Sequence, residues 1–419
     1  MLFKRIDITR WRQFEQIHIT FHDRLTVLTG VNGAGKTTLL NTLNKHFGWN
    51  SPFISTPRRG RQGSLEYFSG RWSRQWSKER NEQLYEYDNF ETVVGRITYG
   101  DESTGELTVP SNNMASSFQI GIKPNRSVKG MHIPSHRPIY TYKQVTSISS
   151  KPKTKQEIYQ SYYGLLHNSY FSHMNDMRPN YVIKETLISL AMFGYGNEVV
   201  SSDSASLDLF KRFEEILHVV LPPQLGFQRI SIEIPEVVLE TQSGNFSLDA
   251  VSGGVASIID LAWQIFMFAE EGQFVVTMDE PENHLHPDMQ KSLLPNLLNA
   301  FPRVQFIVAT HSPFIVSSSP DSAVYVLNYN ANNRVESMAL DMFDRAGSAN
   351  EILRDVLGVD YTLPIWVHDQ LEDLILRYAS KGVSPDSFTA LRLEMAQMGL
   401  DKLIPTALAA VLDERENHS

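Results

Sequence analysis

The chain has no cysteine, which excludes disulfide staples and thiolate metal sites. No apolar run reaches the ~18 residues that a membrane-spanning helix needs. The amino terminus, "MLFKRIDITRWRQFEQ", carries charge where a secretory leader needs an apolar core. Positive charge is in deficit: 38 Lys and Arg face 47 Asp and Glu, a net charge of -9. Such a molecule repels phosphate as a whole, so contact with nucleic acid requires a local basic patch. Repeats of fixed period are missing, as are heptad runs long enough for a coiled-coil arm. These absences predict a soluble cytoplasmic protein with no membrane contact. Its 419 residues are enough for two or three domains.

What is present is an alternation of strand-like and helix-like stretches. "LFKRIDITR" and "QIHITFH" alternate as half-buried strands do, and "LTVLT" is a short apolar run ending in glycine. Residues 49–80 are polar and irregular, and 92–122 hold three short β-like runs, as in an antiparallel meander. Another strand-like piece is "GMHIPSHRPIY". Three helices are expected within 155–219, then strands in "FQRISIEI" and "EVVLETQSGNFSLD". An almost wholly apolar helix is expected over 255–269, and another over 287–300, begun by Pro287. "QFVVTMDEPE", "VQFIVATHS" and "AVYVLNY" read as strands, the last of them final, and 348–415 reads as all helical.

Gly30-Val-Asn-Gly-Ala-Gly-Lys-Thr37 fits the full phosphate-loop pattern, between an apolar strand and a helix. Backbone N–H groups of Asn32, Gly33, Ala34, Gly35, Lys36, Thr37 and Thr38 can converge on phosphate oxygens there, aided by the helix dipole. Lys36 is placed to reach the β- and γ-phosphates of ATP, and Thr37 to give a hydroxyl to Mg²⁺. Asp279 and Glu280 end a buried strand, where ligands of open α/β sheets bind. Asp279 suits Mg²⁺, and Glu280 suits a base acting on the attacking water. His311 follows another apolar strand by one residue, a place from which it can sense a γ-phosphate, although a lone histidine is more often structural. Ser252-Gly253-Gly254 precedes the apolar helix, either as a plain cap or as a phosphate grip.

In this order the motifs resemble the ABC-type ATPase superfamily, and within it the OLD-type and RecF-like branch. The residues that carry the likeness are "ITRWRQFEQIHITF", "LDAVSGG", "DEPENHLHPDMQ" and "FIVATHSPFIV". They are similar to the ATPase subunits of bacterial anti-phage systems such as Septu, PARIS and Gabija, and to retron-associated ATPases. The likeness is strong over 1–48 and 228–330 and weak between them. It implies an α/β ATPase head with an antiparallel β subdomain, a helical insertion and a helical carboxyl-terminal region. The division would be lobe I at 1–125, a mainly helical insertion at 126–227, lobe II at 228–330 and helices at 331–419. Ser252, Gly253 and Gly254 would then be the signature that grips the γ-phosphate of ATP held by a second copy. The implied assembly is a homodimer closed around ATP, or a higher homo-oligomer, with a separate effector nuclease. The flanks depart from the family pattern, with Val251 and Val255 where leucine and glutamine are usual. The glutamine loop has only Gln144 and the "PSHRP" segment as candidates. Asn283 and His286 would lie near the dimer interface, or in an ordinary turn, and Arg12 near the nucleotide.

Residues 57–80 interleave seven Arg and Lys with Tyr67, Phe68, Trp72 and Trp76, against only Glu66 and Glu79. That mixture can track phosphates and stack bases, bind an acidic partner protein, or be a solvated loop. His132 and His136 have the spacing of metal ligands, but "MHIPSHRP" reads as strand and turn. Residues 331–419 are too few and too helical for a nuclease with clustered acids, so none is expected in this chain. Two functions remain. One is an ATP-driven sensor and scaffold of an anti-phage system; the other is a RecF-like repair ATPase that binds DNA through 57–80 when it holds ATP. A transporter subunit suits neither the large insertion nor the RecF-like motifs.

Overall fold

The two strand patterns of the sequence sort into two halves of one sheet. In the computed structural model the described residues are 1–59, 65–71, 91–110, 115–137, 140–172, 178–269, 272–341, 351–352, 365–381 and 385–398, with 400, 404, 407–408 and 411. The strands of the first lobe are β1 (Phe3–Trp11), β2 (Phe14–Thr20), β3 (Leu25–Gly30), β4 (Phe53–Ile54), β5 (Thr56–Arg59), β6 (Leu65–Phe68), β7 (Glu91–Tyr99), β8 (Thr104–Pro110), β9 (Ser117–Phe118), β10 (Gly121–Lys123) and β11 (Gly130–Ile133). Then follow β12 (Phe227–Glu233), β13 (Glu236–Thr241), β14 (Gly244–Ser247), β15 (Phe274–Asp279), β16 (Val304–Ala309), β17 (Ala323–Tyr329) and β18 (Val335–Ala339). Among the described residues, 11 strands form one sheet in the order β10-β8-β7-β1-β2-β18-β17-β3-β16-β15-β11.

In one half, β11, β15, β16, β3 and β17 run parallel. Every residue of β3, β15 and β16 is buried, as expected of parallel strands covered on both faces. In the other half, β2, β1, β7, β8 and β10 are antiparallel. There the side chains alternate: Ile6 pairs with Ile19 and Ile97, and Ile8 with Ile17, while the intervening positions carry charge. The inward set meets Leu39, Leu40 and Leu43 of helix α1 (Lys36–Asn44) in one apolar cluster.

The helices α2 (Lys155–Ser172), α3 (Pro179–Tyr195) and α4 (Ser204–Val220) follow. Helix α4 begins at Asp203, whose side chain accepts from Ser206 N at 2.9 Å. Helix α5 (Gly253–Phe268) is apolar nearly all round and buried along nearly its whole length. Trp263 of α5 packs edge-on against Phe213 of α4, with ring centroids 4.9 Å apart. Helix α6 (Pro287–Ala300) starts at the predicted proline, and a short α7 (Pro313–Val316) follows β16. A separate unit, Leu353–Ser419, contains α8 (Ile365–Lys381) and α9 (Pro385–Gln397) around Leu374, Tyr378, Leu391 and Met395.

The fold is mixed α/β, with a large sheet and several helices. Four details differ from the sequence reading. Strand β18 lies within the stretch read as helical after 331; only Val335 of it is fully buried, so its alternation is faint. Strand β11 lies within the stretch read as an insertion but belongs to the main sheet, through its pairing with β15. The run "SFQIGIK" divides between β9, which pairs with β4, and β10, which pairs with β8. The hairpin β5–β6 occupies part of the stretch read as irregular. Most of the basic and aromatic patch at 57–80, including Trp72 and Trp76, lies outside the described residues. Among the described residues, no helix is long and apolar enough to cross a membrane.

Candidate nucleotide site

The phosphate loop joins β3 to α1 and is tightly enclosed. Gly30 and Gly35 adopt φ values of 127° and 100°, which disfavour any residue with a side chain. A Cβ at Gly30 would collide with the Leu327 carbonyl of β17, and one at Gly35 with Gln13 and Phe14 at the β1–β2 turn. The loop therefore keeps its shape because strands from both halves of the sheet press on it.

Lys36 is 6% exposed. Its Nζ donates to the carbonyls of Gly30 at 3.0 Å and Val31 at 3.2 Å. Burial lowers its pKa to about 8, against the pull of Asp279, Glu280 and Glu282. The Thr37 hydroxyl donates to Asp279 Oδ2 at 2.9 Å. Burial raises Asp279 to about 6, with Glu280 and Glu282 adding to the shift and Thr37 and Lys36 opposing it. Lys36, Thr37 and Asp279 are thus brought together across 242 residues by the parallel order β3-β16-β15.

Glu280 sits just past β15 in a left-handed conformation, φ 47°. Its N–H donates to the Ala309 carbonyl at 2.8 Å. Asn283 Nδ2 donates to Glu280 Oε2 at 3.0 Å and to the Ser135 carbonyl at 3.2 Å. His311 Nε2 lies 3.9 Å from Glu280 Oε1. Burial lowers the His311 pKa, Lys36 lowers it further and Glu280 opposes them, so the site favours the neutral ring. Glu282 accepts from the Thr310 hydroxyl at 2.6 Å and the His311 N–H at 3.0 Å. Asn32, Glu280, Glu282, Asn283, Gln290 and His311 are among the residues lining an open cleft of about 500 Å³. Three carboxylates, at 279, 280 and 282, face one ammonium here. The Thr37 hydroxyl and the Asp279 carboxylate are hard oxygen donors, the chemistry that suits a divalent cation beside phosphate.

Ser252 caps α5, its Oγ accepting from Val255 N at a long 3.5 Å. Ser252 and Gly253 are exposed and do not line the cleft. Gly254 is buried, and a Cβ there would press on Met289 and the His284 carbonyl. His286 caps α6, and its ring accepts from Asp288 N at 3.4 Å. Arg12 is directed elsewhere: its guanidinium lies 5.6 Å from the Phe53 ring centroid and donates to the Ile54 carbonyl, and it does not line the cleft. His132 is a core residue, bonded to the Thr277 hydroxyl at 3.0 Å and held neutral by burial, which lowers its pKa to about 3. Among the described residues, no group of three or more His, Asp or Glu has a metal-holding arrangement, so the His132/His136 spacing carries no metal site. Sequence reasoning missed Glu282 and Gln290; the only signal for Glu282 was its place as the third acid of "DEPE".

A family profile described as "AAA domain" matches residues 5–169, and one described as "AAA domain, putative AbiEii toxin, Type IV TA system" matches 204–317. Two stretches of the chain thus resemble AAA domains. The chain is 36% identical over 86 residues to the Septu protein PtuA of Bacillus mycoides (strain KBAB4), covering 19% of the chain and 12% of that relative. It is 23% identical over 158 residues to the Septu protein PtuA of Bacillus thuringiensis, covering 34% of the chain and 40% of the relative. To the Retron Ec83 probable ATPase of Escherichia coli it is 29% identical over 126 residues, covering 27% of the chain and 23% of the relative. The chain is homologous to these proteins, and the matches span well under two thirds of their lengths. Among solved structures, the SMC head domain from Thermotoga maritima is similar at 11% identity and a TM-score of 0.43, covering 82% of this chain and 100% of that one.

Proposed function

We propose that the protein binds and hydrolyses ATP in a site completed by a second copy of itself. In this reading it is the sensor and scaffold of a bacterial anti-phage system, controlling a separate effector nuclease. The observation that carries the reading is the placement of Lys36, Thr37, Asp279, Glu280 and His311 at the same end of neighbouring parallel strands. The homology to Septu PtuA and retron ATPases supports the defence role.

Each residue then has a task. Lys36 exchanges the Gly30 and Val31 carbonyls for the β- and γ-phosphates, and the α1 N-terminus adds its N–H groups. Thr37 and Asp279 would hold Mg²⁺, which neutralises charge on the phosphates when bound. Asn283 occupies Oε2 of Glu280 and leaves Oε1 toward His311, so one oxygen is free to take a proton from the attacking water. The neutral His311 can donate to the γ-phosphate from the same side. Ser252 and Gly253, exposed at the start of α5, would grip the γ-phosphate held by the other copy.

Two measurements test this. Glu280→Gln is expected to slow ATP turnover by ~10²–10⁴-fold while leaving ATP bound; unchanged turnover would remove Glu280 from the role of base. Ser252→Arg is expected to abolish an ATP-dependent dimer in light scattering, and a dimer that persists refutes the composite site. A nuclease or reverse-transcriptase gene beside this one supports the defence role; a repair operon supports the RecF-like alternative.

A further inference from the structure

Arg137 is a buried cation to which nothing above gives a task. It lies four residues past the end of β11 and is 8% exposed. Its Nη2 donates to the main-chain carbonyl of Glu280 at 3.0 Å. Among the described residues, its Nε and Nη1 are buried without a hydrogen-bond partner. Asp260 and Glu282 are the carboxylates that act on its charge. A guanidinium stays charged in any protein, so burying one with two donors unmet is costly and calls for a compensating role.

Two facts say what that role is. First, Glu280 has a φ of 47°, which costs a residue with a side chain energy. The turn is held at both ends, the N–H by the Ala309 carbonyl and the C=O by Arg137. Second, Asp260 belongs to α5, eight residues after the Ser252 cap and so about two turns along the same helix. Asp260 is itself fixed, accepting from the Tyr162 hydroxyl and from Gln264 Nε2 at 2.8 Å. Arg137 therefore holds the Glu280 turn through a hydrogen bond, while the buried carboxylate of Asp260 acts on its charge.

We propose that Arg137 is a positioning residue: it holds the Glu280 main chain in its left-handed turn and so aims the Glu280 carboxylate into the cleft. The proposal rests on the reading of Glu280 as the base.

The test uses the full chain and the variants Arg137→Met, Arg137→Lys, Asp260→Asn and Glu280→Gln. Turnover, KM for ATP and the Kd of a fluorescent ATP analogue are measured for each. Arg137→Met is expected to lower kcat by at least about tenfold with Kd within about threefold of wild type. Arg137→Lys keeps the charge and a donor, and is expected to recover most of that loss. Asp260→Asn keeps the shape of Asp260 and is expected to lower kcat by about three- to tenfold with Kd unchanged. A kcat within about twofold of wild type in Arg137→Met overturns the proposal, as does a rise in Kd that parallels the fall in kcat. Should Arg137→Met fail to fold, a kcat within about twofold of wild type in Asp260→Asn overturns it equally. If Glu280→Gln turns over ATP like wild type, the reading of the site has failed. If Glu280→Gln is inactive while Arg137→Met is not, only the role of Arg137 has failed.

Discussion

Lys36 and Lys184 are both buried lysines, and the molecule treats them in opposite ways. Lys184, on α3, has no exposed side-chain surface; it pairs with Asp249 and, at 2.9 Å, with Glu236. Asn180 donates to the same Asp249, three residues before Ser252. Burial pushes the Lys184 pKa down, but Asp249 and Glu236 more than reverse this and leave it raised. Lys36 has only two neutral carbonyls as hydrogen-bond partners, and its pKa falls to about 8. A buried charge met by an opposite charge is part of the framework. One that hydrogen-bonds to carbonyls, with the carboxylates at 279, 280 and 282 acting on it too weakly to offset its burial, remains available to an anionic ligand.

The largest expected effect tests the framework side. Lys184→Met leaves Asp249 and Glu236 without their cation and is expected to cost ~3–5 kcal/mol of stability in chemical denaturation. The Kd for ATP of the folded fraction should stay within about twofold. Because the folded pKa of Lys184 is raised, its contribution is constant through neutral pH and is lost only as pH climbs through that raised value.

Lys36→Ala should do the reverse. The Kd for ATP is expected to rise up to ~100-fold, the equivalent of ~3 kcal/mol, in calorimetry. The melting temperature of the nucleotide-free protein should hold or rise, because the cost of burying the ammonium outweighs the pull of the three carboxylates. A melting temperature lower by several degrees would erase the contrast between the two lysines.

Asp279 sharpens it by pH. Its carboxyl titrates near 6 in the fold against an ordinary 3.8, so the folded state keeps a proton that the unfolded chain has released. Stability of the nucleotide-free protein is therefore expected to fall as pH rises from about 4 to about 6, and to stay lower above that. Asp279→Asn should flatten this window and raise the melting temperature at pH 7, while Mg²⁺-dependent turnover is lost. A melting curve with the same pH dependence in both proteins would show that Asp279 is not the strained group.

The smallest effect is at Ser252. Its cap bond is long, so Ser252→Ala is expected to cost no more than ~0.5 kcal/mol of stability. ATP-dependent self-association, read by analytical ultracentrifugation, should weaken by more than that. Equal losses would make Ser252 a plain cap.

These contrasts also mark what the sequence could tell. The strand, glycine loop and helix around Lys36 are local, and so is the Asp279–Glu280 end of an apolar strand; both were legible from spacing alone. Helix α6 began at the proline that predicted it. Arg137 was not legible, because its meaning depends on β11 pairing with β15 across more than a hundred residues. Strand β18 was missed because its partners, β17 and β2, cover it too little to leave a strong alternation. The resting partners of Lys36 are main-chain carbonyls, which no side-chain pattern encodes.

The contact of Gln13 and Phe14 with Gly35 has a mechanical consequence. Those residues form the tip of a hairpin whose strands lie in the antiparallel half of the sheet, yet they bear directly on the loop that holds phosphate. The hairpin acts as a thumb on that loop. At position 35 no room is left between the two for even a methyl group, so the glycine is where the antiparallel wing and the loop meet face to face.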